Sequence, residues 1–88
     1  MVWQIEFDPK AVKELKKLDH VAQKRIVEYL KNKVAIQSSP RDLGKALKGD
    51  KLGLWRYRVG NYRIICHISD EKLIILVIKV GSRQSVYE

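Results

Sequence analysis

The chain contains little of what secreted, metal-binding and membrane proteins use to build a fold. Its only cysteine is Cys66, so no disulfide can form within the chain and a site with several thiolate ligands is excluded. The longest apolar runs, such as residues 73–78, are far too short to span a bilayer, and the N-terminus does not resemble a signal peptide. With 88 residues there is room for one hydrophobic core. We therefore expect a single domain over residues 1–88, located in the cytoplasm.

Acidic residues are also scarce. The chain has 10 Asp and Glu against 18 Lys and Arg, which gives a formal net charge of +8. A surface of this kind attracts polyanions or an acidic protein partner, and the charge balance alone does not choose between them. Apolar residues make up 45% of the sequence, enough for an ordered core.

The first half of the chain predicts a strand followed by two helices. Residues 2–7 alternate in character and indicate an opening strand. Asp8 and Pro9 are typical of a helix start, and Asp19 can cap a second helix. The apolar stripes of the two helices are Ala11, Val12, Leu15 and Leu18, then Ala22, Ile26, Leu30 and Val34. Ser38-Ser39-Pro40 is expected to end the second helix, so the two helices form a hairpin.

The second half predicts a loop followed by three strands. Residues 41–53 contain three glycines among lysines and indicate a loop, whereas residues 54–59, 62–68 and 73–80 are typical of strands. The connections between these strands have the length and residues of hairpin turns. The predicted fold class is α+β: a small antiparallel sheet with the N-terminal helical hairpin packed on one face.

Arginine and tyrosine recur along this second half. On strands, Arg56, Arg58 and Arg63 can project from one face of the sheet, with Arg83 and Tyr87 arriving from the end of a neighbouring strand. Guanidinium groups match phosphate oxygens, and aromatic rings can stack on unpaired bases. We therefore expect an exposed phosphate-binding cleft suited to RNA.

Other conspicuous residues have structural interpretations. The parity of Trp55, Tyr57 and Tyr62 places them opposite the arginines, where they are expected to pack. Cys66 is expected to be a small buried hydrophobe. His67 follows Arg63 by four residues, roughly 13 Å at strand rise, which is too far for direct partnership in one site.

The order and spacing of several short motifs resemble the RelE/ParE toxin superfamily of toxin–antitoxin modules, and within it the RelE-like ribosome-dependent mRNA interferases. The resemblance extends over essentially the whole chain. The motifs are Phe7-Asp8, Pro40-Arg41-Asp42-Leu43-Gly44-Lys45, Leu47-Lys48-Gly49, Trp55-Arg56, Gly60-Asn61-Tyr62-Arg63, Val80-Gly81-Ser82-Arg83 and Val86-Tyr87.

The resemblance implies roles for these residues. Arg56 and Arg58 match two basic residues that line the cleft, and Arg63 matches a transition-state stabiliser. Arg83 matches the arginine that stabilises charge or the leaving group, and Tyr87 matches the tyrosine that positions or activates the attacking hydroxyl. Apart from the resemblance, the positive charge of Lys45, Lys48 and Lys51 predicts that these lysines bind the RNA substrate and the ribosome.

The sequence departs from this pattern at Arg58, where family members often have a lysine proposed as the general base. A guanidinium does not accept a proton at neutral pH, so another group must act, and Tyr87 is the candidate. Alternatively no side chain acts as base and Tyr87 only orients the 2′-hydroxyl. Some members also continue into a C-terminal helix, whereas this sequence ends at Glu88.

The resemblance also implies partners. These are the ribosome, mRNA and a cognate antitoxin, whose acidic segment becomes ordered when it binds the toxin. It implies no cofactor and no metal. Two alternatives stay open: a ParE-like toxin that shares the fold but binds and inhibits DNA gyrase, and a basic nucleic-acid-binding adaptor without toxicity.

Overall fold

In a computed structural model, which describes residues 2–48 and 53–82, two helices pack against one face of a five-stranded sheet. The helices are α1 (Pro9–Lys16) and α2 (His20–Tyr29). The strands are β1 (Gln4–Phe7), β2 (Lys45–Ala46), β3 (Trp55–Val59), β4 (Tyr62–Ser69) and β5 (Ile74–Ser82). Within these two ranges, none of the helical segments has both the length and the hydrophobicity of a transmembrane helix.

Both predicted helix starts are confirmed by their caps. The Asp8 carboxylate accepts a hydrogen bond from the Lys10 amide at 2.9 Å, and Pro9 occupies the first helical turn. The Asp19 carboxylate accepts from the Ala22 amide at 2.7 Å. These bonds satisfy amides that have no partner inside the helix, so the sequence fixes where each helix begins.

The second helix ends differently from the prediction. α2 stops at Tyr29, and the chain continues as a π-helical turn, Leu30–Val34, in which the Ala35 amide donates to the Leu30 carbonyl at 2.9 Å. The wider turn changes the phase of the helix, so Val34 and Ala35 are both buried. The predicted apolar stripe is therefore retained through Val34, although the helix is not α-helical throughout.

The sheet has the strand order β1-β5-β4-β3-β2. The antiparallel meander of β3, β4 and β5 is confirmed. β1, however, pairs with β5 in parallel, so the sheet is mixed rather than wholly antiparallel. A parallel neighbour requires a crossover connection, and here the helical hairpin lies in that connection. The very apolar β5 consequently lies inside the sheet, between β1 and β4.

The helices cover the face of the sheet that carries its aromatic residues. Tyr57 is fully buried there, and Trp55 and Tyr62 pack against the same core, as predicted. Cys66 is also fully buried on this face, and burial raises the pKa of its thiol. It therefore acts as a core side chain rather than as a reactive group.

The opposite face, called the open face below, is kept from full exposure by a second, smaller apolar cluster. A register shift pairs Ile65 with Lys79 but Cys66 with Val77, so β5 has one extra residue, Ile78, at this point. Ile78 packs with Leu47, Ile65 and Leu54 on the open face. The β-bulge thus anchors the start of the connection between β2 and β3 over the sheet.

Candidate nucleic-acid interface

Basic side chains converge on the open face through strand register. Arg58 lies directly opposite Arg63, and Arg56 lies opposite both Lys45 on one side and Ile65 on the other. Lys79 is the partner of Ile65 on the next strand. Directly paired residues share a face, so four neighbouring strands contribute to one cationic surface. We call it the basic face; it consists of Lys45, Arg56, Arg58, Arg63 and Lys79.

Lys79 was not among the residues singled out from the sequence. A single lysine within the otherwise apolar run 73–80 was the available signal. Simple alternation along β5 does not assign its face, because the bulge at Ile78 changes the parity. The structure therefore adds a fifth cation to this surface.

Arg63 is not exposed as expected: only 5% of its surface is accessible. It lies on β4, which has neighbours on both sides, and its Nη1 donates to the Tyr62 carbonyl at 3.2 Å. A guanidinium stays protonated in proteins, so a buried positive charge is held in one place beneath this surface. Arg58 across the strand pair is exposed, and Arg56 is half-buried.

Lys45 is held in place by the segment that precedes it. The Tyr57 hydroxyl donates to the Pro40 carbonyl at 2.5 Å, and Trp55 Nε1 donates to the Leu43 carbonyl at 2.6 Å. These bonds fix residues 40–43 against β3 and lead the chain into β2, which the sequence had predicted as loop. Two aromatic residues on the covered face therefore position a lysine on the open face.

Gly44 permits this close approach. Its φ of +76° is unfavourable for any residue with a Cβ, and a Cβ there would collide with the Arg56 carbonyl oxygen and lie 2.8 Å from Trp55 Nε1. Gly53 has a φ of +93° but would present its Cβ to open space. A side chain at either position would therefore be strained by the positive φ, but only at Gly44 would it also collide with neighbouring atoms.

We expect Gly44→Ala to lower the free energy of unfolding by about 2–4 kcal/mol, because strain and a backbone collision add. Gly53→Ala is the matched control and should cost only about 1 kcal/mol, from strain alone. Urea unfolding of both variants measures the difference. Equal losses would mean that Gly44 matters for its φ and not for its contact with β3.

The basic face also stores electrostatic repulsion. Arg58 and Arg63 are directly paired like charges, which destabilises a sheet. The four strands β2 to β5 contain no Asp or Glu that could neutralise them. A surface that keeps such a pair at a cost in stability is typical of a binding site.

Arg58→Thr should therefore raise the free energy of unfolding by about 0.2–1 kcal/mol, since threonine suits strands and the repulsion is removed. Lys79→Thr is the control, because its cross-strand partner is the uncharged Ile65. Thermal melts at low and high salt test the cause: salt should stabilise the native protein more than the Arg58 variant. A gain that is the same at every salt concentration would point to packing instead.

The remaining predicted site residues differ in how far the structure describes them. Lys48 is exposed, two residues after β2. Lys51, Arg83 and Tyr87 lie outside the described residues.

His67 is on the open face opposite Leu76, away from the Arg58–Arg63 pair. Among residues 2–48 and 53–82, no three His, Cys, Asp or Glu side chains form a group that could hold a metal ion.

Comparison with known proteins places the chain in a family. The sequence-family model for the ParE toxin of the type II toxin–antitoxin system parDE matches residues 5–87 of this chain. The mRNA interferase toxin RelE of Escherichia coli K12 is 31% identical over 86 residues, covering 96% of this chain and 86% of that protein. Toxin RelG of Mycobacterium tuberculosis is 26% identical over 87 residues, covering 99% of this chain and 98% of that protein.

Solved structures agree with the sequence comparisons. The toxin–antitoxin complex RelBE2 of Mycobacterium tuberculosis contains a chain that superposes with a TM-score of 0.86 at 25% identity, covering 94% of this chain and 93% of that one. The RelB–RelE complex of Methanococcus jannaschii gives a TM-score of 0.68 at 30% identity, over 94% and 95% of the two chains. The chain is therefore a toxin of the RelE/ParE superfamily of type II toxin–antitoxin systems.

Proposed function

We propose that this toxin is an endoribonuclease that cleaves mRNA on the ribosome. The observation that carries the proposal is the basic face, where four adjacent strands that contain no Asp or Glu place five cations on one side of the sheet. Such a surface favours a polyanion, and guanidinium groups pair with phosphate through two parallel hydrogen bonds. The name of the Escherichia coli relative, an mRNA interferase, supports RNA as that polyanion.

The proposed reaction is an internal transfer of the phosphate. The ribose 2′-oxygen attacks the adjacent phosphorus, its proton goes to a base, and the bond from phosphorus to the 5′-oxygen breaks. The products are a 2′,3′-cyclic phosphate and a 5′-hydroxyl that takes up a proton. Negative charge grows on the phosphate oxygens in the transition state, and fixed cations lower that barrier.

Arg63 is suited to this task because it is held in place. Its burial and its hydrogen bond to the Tyr62 carbonyl restrict the guanidinium before substrate arrives. A donor that does not reorganise during the reaction stabilises the transition state more than a mobile surface charge does. Arg58, exposed across the strand pair, would contact the same phosphate from the solvent side.

The other roles rest on the family resemblance. We assign Arg83 to stabilisation of the leaving oxygen and Tyr87 to the attacking hydroxyl, with Arg56 on the RNA backbone. Lys45, Lys48 and Lys51 would dock on ribosomal RNA through its phosphates. Action on ribosomes makes the cytoplasm the site of activity.

We further propose that a cognate antitoxin neutralises the chain. Structures of RelB–RelE complexes from Mycobacterium tuberculosis and Methanococcus jannaschii support such a partner. An acidic segment that orders on the basic face would cover the phosphate site and relieve the repulsion between Arg58 and Arg63.

A second candidate function is inhibition of DNA gyrase by binding, without nuclease activity. The family model that matches residues 5–87 is that of the ParE toxin, which favours this alternative. Arginine at several cleft positions favours the nuclease, because a pure binding module needs no cations directed at one phosphate.

Brief induction in cells separates the two candidates. Translation, mRNA cleavage on ribosomes and plasmid supercoiling are measured in parallel. Translation arrest with cut mRNA and normal supercoiling is the expected result. Altered supercoiling with intact mRNA would establish the gyrase inhibitor, and normal growth without an antitoxin would refute both candidates.

A further inference from the structure

The open face carries a second feature beyond the basic face: a cavity of about 210 Å³ at the other end of the sheet. It lies where β1, β5 and β4 run side by side, and from the turn between β4 and β5 only Lys72 lines it. The residues that line it are Glu6, His67, Ser69, Lys72, Ile74 and Leu76. None of them belongs to the basic face.

Strand register defines the geometry of this cavity. Leu76 on β5 is paired with Glu6 on β1 and with His67 on β4, so the carboxylate and the imidazole flank one aliphatic side chain. At the usual strand spacing their Cα atoms are about 10 Å apart. In the next row Ile74 is paired with Ser69, which adds a hydroxyl beside the same apolar floor.

Glu6 is unusual in its position. It is the only acidic residue in any of the five strands, on a protein with a net charge of +8. It is also exposed, as is His67. A carboxylate on a surface that faces RNA repels phosphate, so its useful contact is with the N–H groups of a base.

We propose that this cavity binds an unpaired nucleobase of the RNA strand whose phosphate lies on the basic face. The proposal rests on the proposed nuclease function. The His67 imidazole would stack on the base, Ile74 and Leu76 would contact its apolar surface, and Lys72 at the rim would contact a phosphate. His67 follows Arg63 by four residues on the same strand, about 13 Å, a distance that a few nucleotides of extended strand cover.

Glu6 makes the subsite selective. An ionised carboxylate only accepts hydrogen bonds, so it matches the amino groups of cytosine, adenine and guanine. Uracil presents two carbonyl oxygens beside its single N–H, and these oxygens repel the carboxylate. The toxin should therefore disfavour uracil at one fixed position, a few nucleotides from the cut.

The test maps 5′ ends of mRNA cut on ribosomes by the native chain, Glu6→Gln and His67→Ala. Glu6→Gln should admit uracil at the disfavoured position, because the amide also donates, and raise uracil cuts severalfold. His67→Ala should lower kcat/KM roughly five- to 100-fold for every base, the range that loss of one stacking contact gives. Glu71→Gln and His20→Ala are matched controls, exposed and outside the cavity, and should retain the native profile.

Several results would overturn the proposal. The native chain could show no base preference near the cut, or Glu6→Gln could leave that preference unchanged. Weaker antitoxin binding by the two cavity variants, with RNA cleavage unaltered, would make the cavity a protein contact.

If the native protein does not cleave mRNA on ribosomes, the proposed function is refuted. The base-binding subsite is then tested separately by NMR. Short oligoribonucleotides of cytosine should shift the His67 resonances while those of uracil leave them unchanged. Equal shifts or none would refute the subsite as well.

Discussion

Replacing Arg63 by Gln and Arg83 by Ala should nearly abolish cleavage of ribosome-bound mRNA. Each donor aimed at developing charge contributes about 10²–10³ to the rate, so the double variant is expected to fall by at least the larger of these factors. Growth inhibition should be lost with it. The measurement is the single-turnover rate on ribosomes programmed with a defined mRNA.

The Arg63 substitution is chosen to separate activity from folding. Arg63 is buried, so alanine would leave a large cavity, whereas glutamine fills more of the space and keeps an N–H donor on the side chain. Removing one of two opposed cations should also offset part of the lost packing. Arg25→Gln, on the exposed surface of α2, is the control and should leave the rate unchanged. A double variant that melts like the native chain and still cuts at the native rate would refute the site assignment.

Sequence reasoning was successful where a local signal decides the structure. Asp8 and Asp19 satisfy helix amides within three residues of themselves, so their effect is independent of the rest of the fold. The parity of β3 is equally local: Arg56 and Arg58 had to lie opposite Trp55 and Tyr57 once this segment formed a strand.

The β2 strand could not be predicted because nothing within it favours a strand. It has two residues, Lys45–Ala46, and exists because Trp55 and Tyr57 hold the preceding segment against β3 through hydrogen bonds. Contacts of this kind join residues 12 and 17 positions apart. Short-range patterns carry no information on such bonds, although the glycine at position 44 was a signal of close approach.

The alternation of side chains along a strand also could not predict how exposed each arginine is. Alternation assigns Arg63 to the open face, but its burial depends on β4 being central in the sheet, with β3 and β5 on either side. The predicted meander already places β4 between β3 and β5, but alternation along one strand does not show how deeply these neighbours cover the guanidinium. The parallel pairing of β1 with β5 also lacked a local signal, because it joins residues about 70 positions apart. The candidate site was thus predicted as a set of residues, whereas its depth and the contribution of Lys79 required the three-dimensional structure.

The arginine at position 58 has a chemical consequence for the proposed nuclease. A guanidinium stays a cation in proteins, so Arg58 can stabilise charge and cannot accept the proton of the 2′-hydroxyl. Arg56 and Arg63 are excluded as bases for the same reason. Among the cleft residues that the family resemblance assigns, which are otherwise arginines, the Tyr87 phenol can lose a proton within an accessible pH range, since a free phenol titrates near pH ~10.

We therefore expect Tyr87→Phe to slow single-turnover cleavage by about 10²–10⁴-fold, the usual contribution of a general base. The pH dependence decides the mechanism. A base must be deprotonated to act, so the native rate should rise with pH until the phenolate predominates, and the variant should lack this rise. Ser85→Ala, two residues away, is the control and should keep both the rate and its pH profile. If Tyr87→Phe is slower but follows the native pH profile, the tyrosine only orients the 2′-hydroxyl, and the proton is accepted by water or by the ribosome.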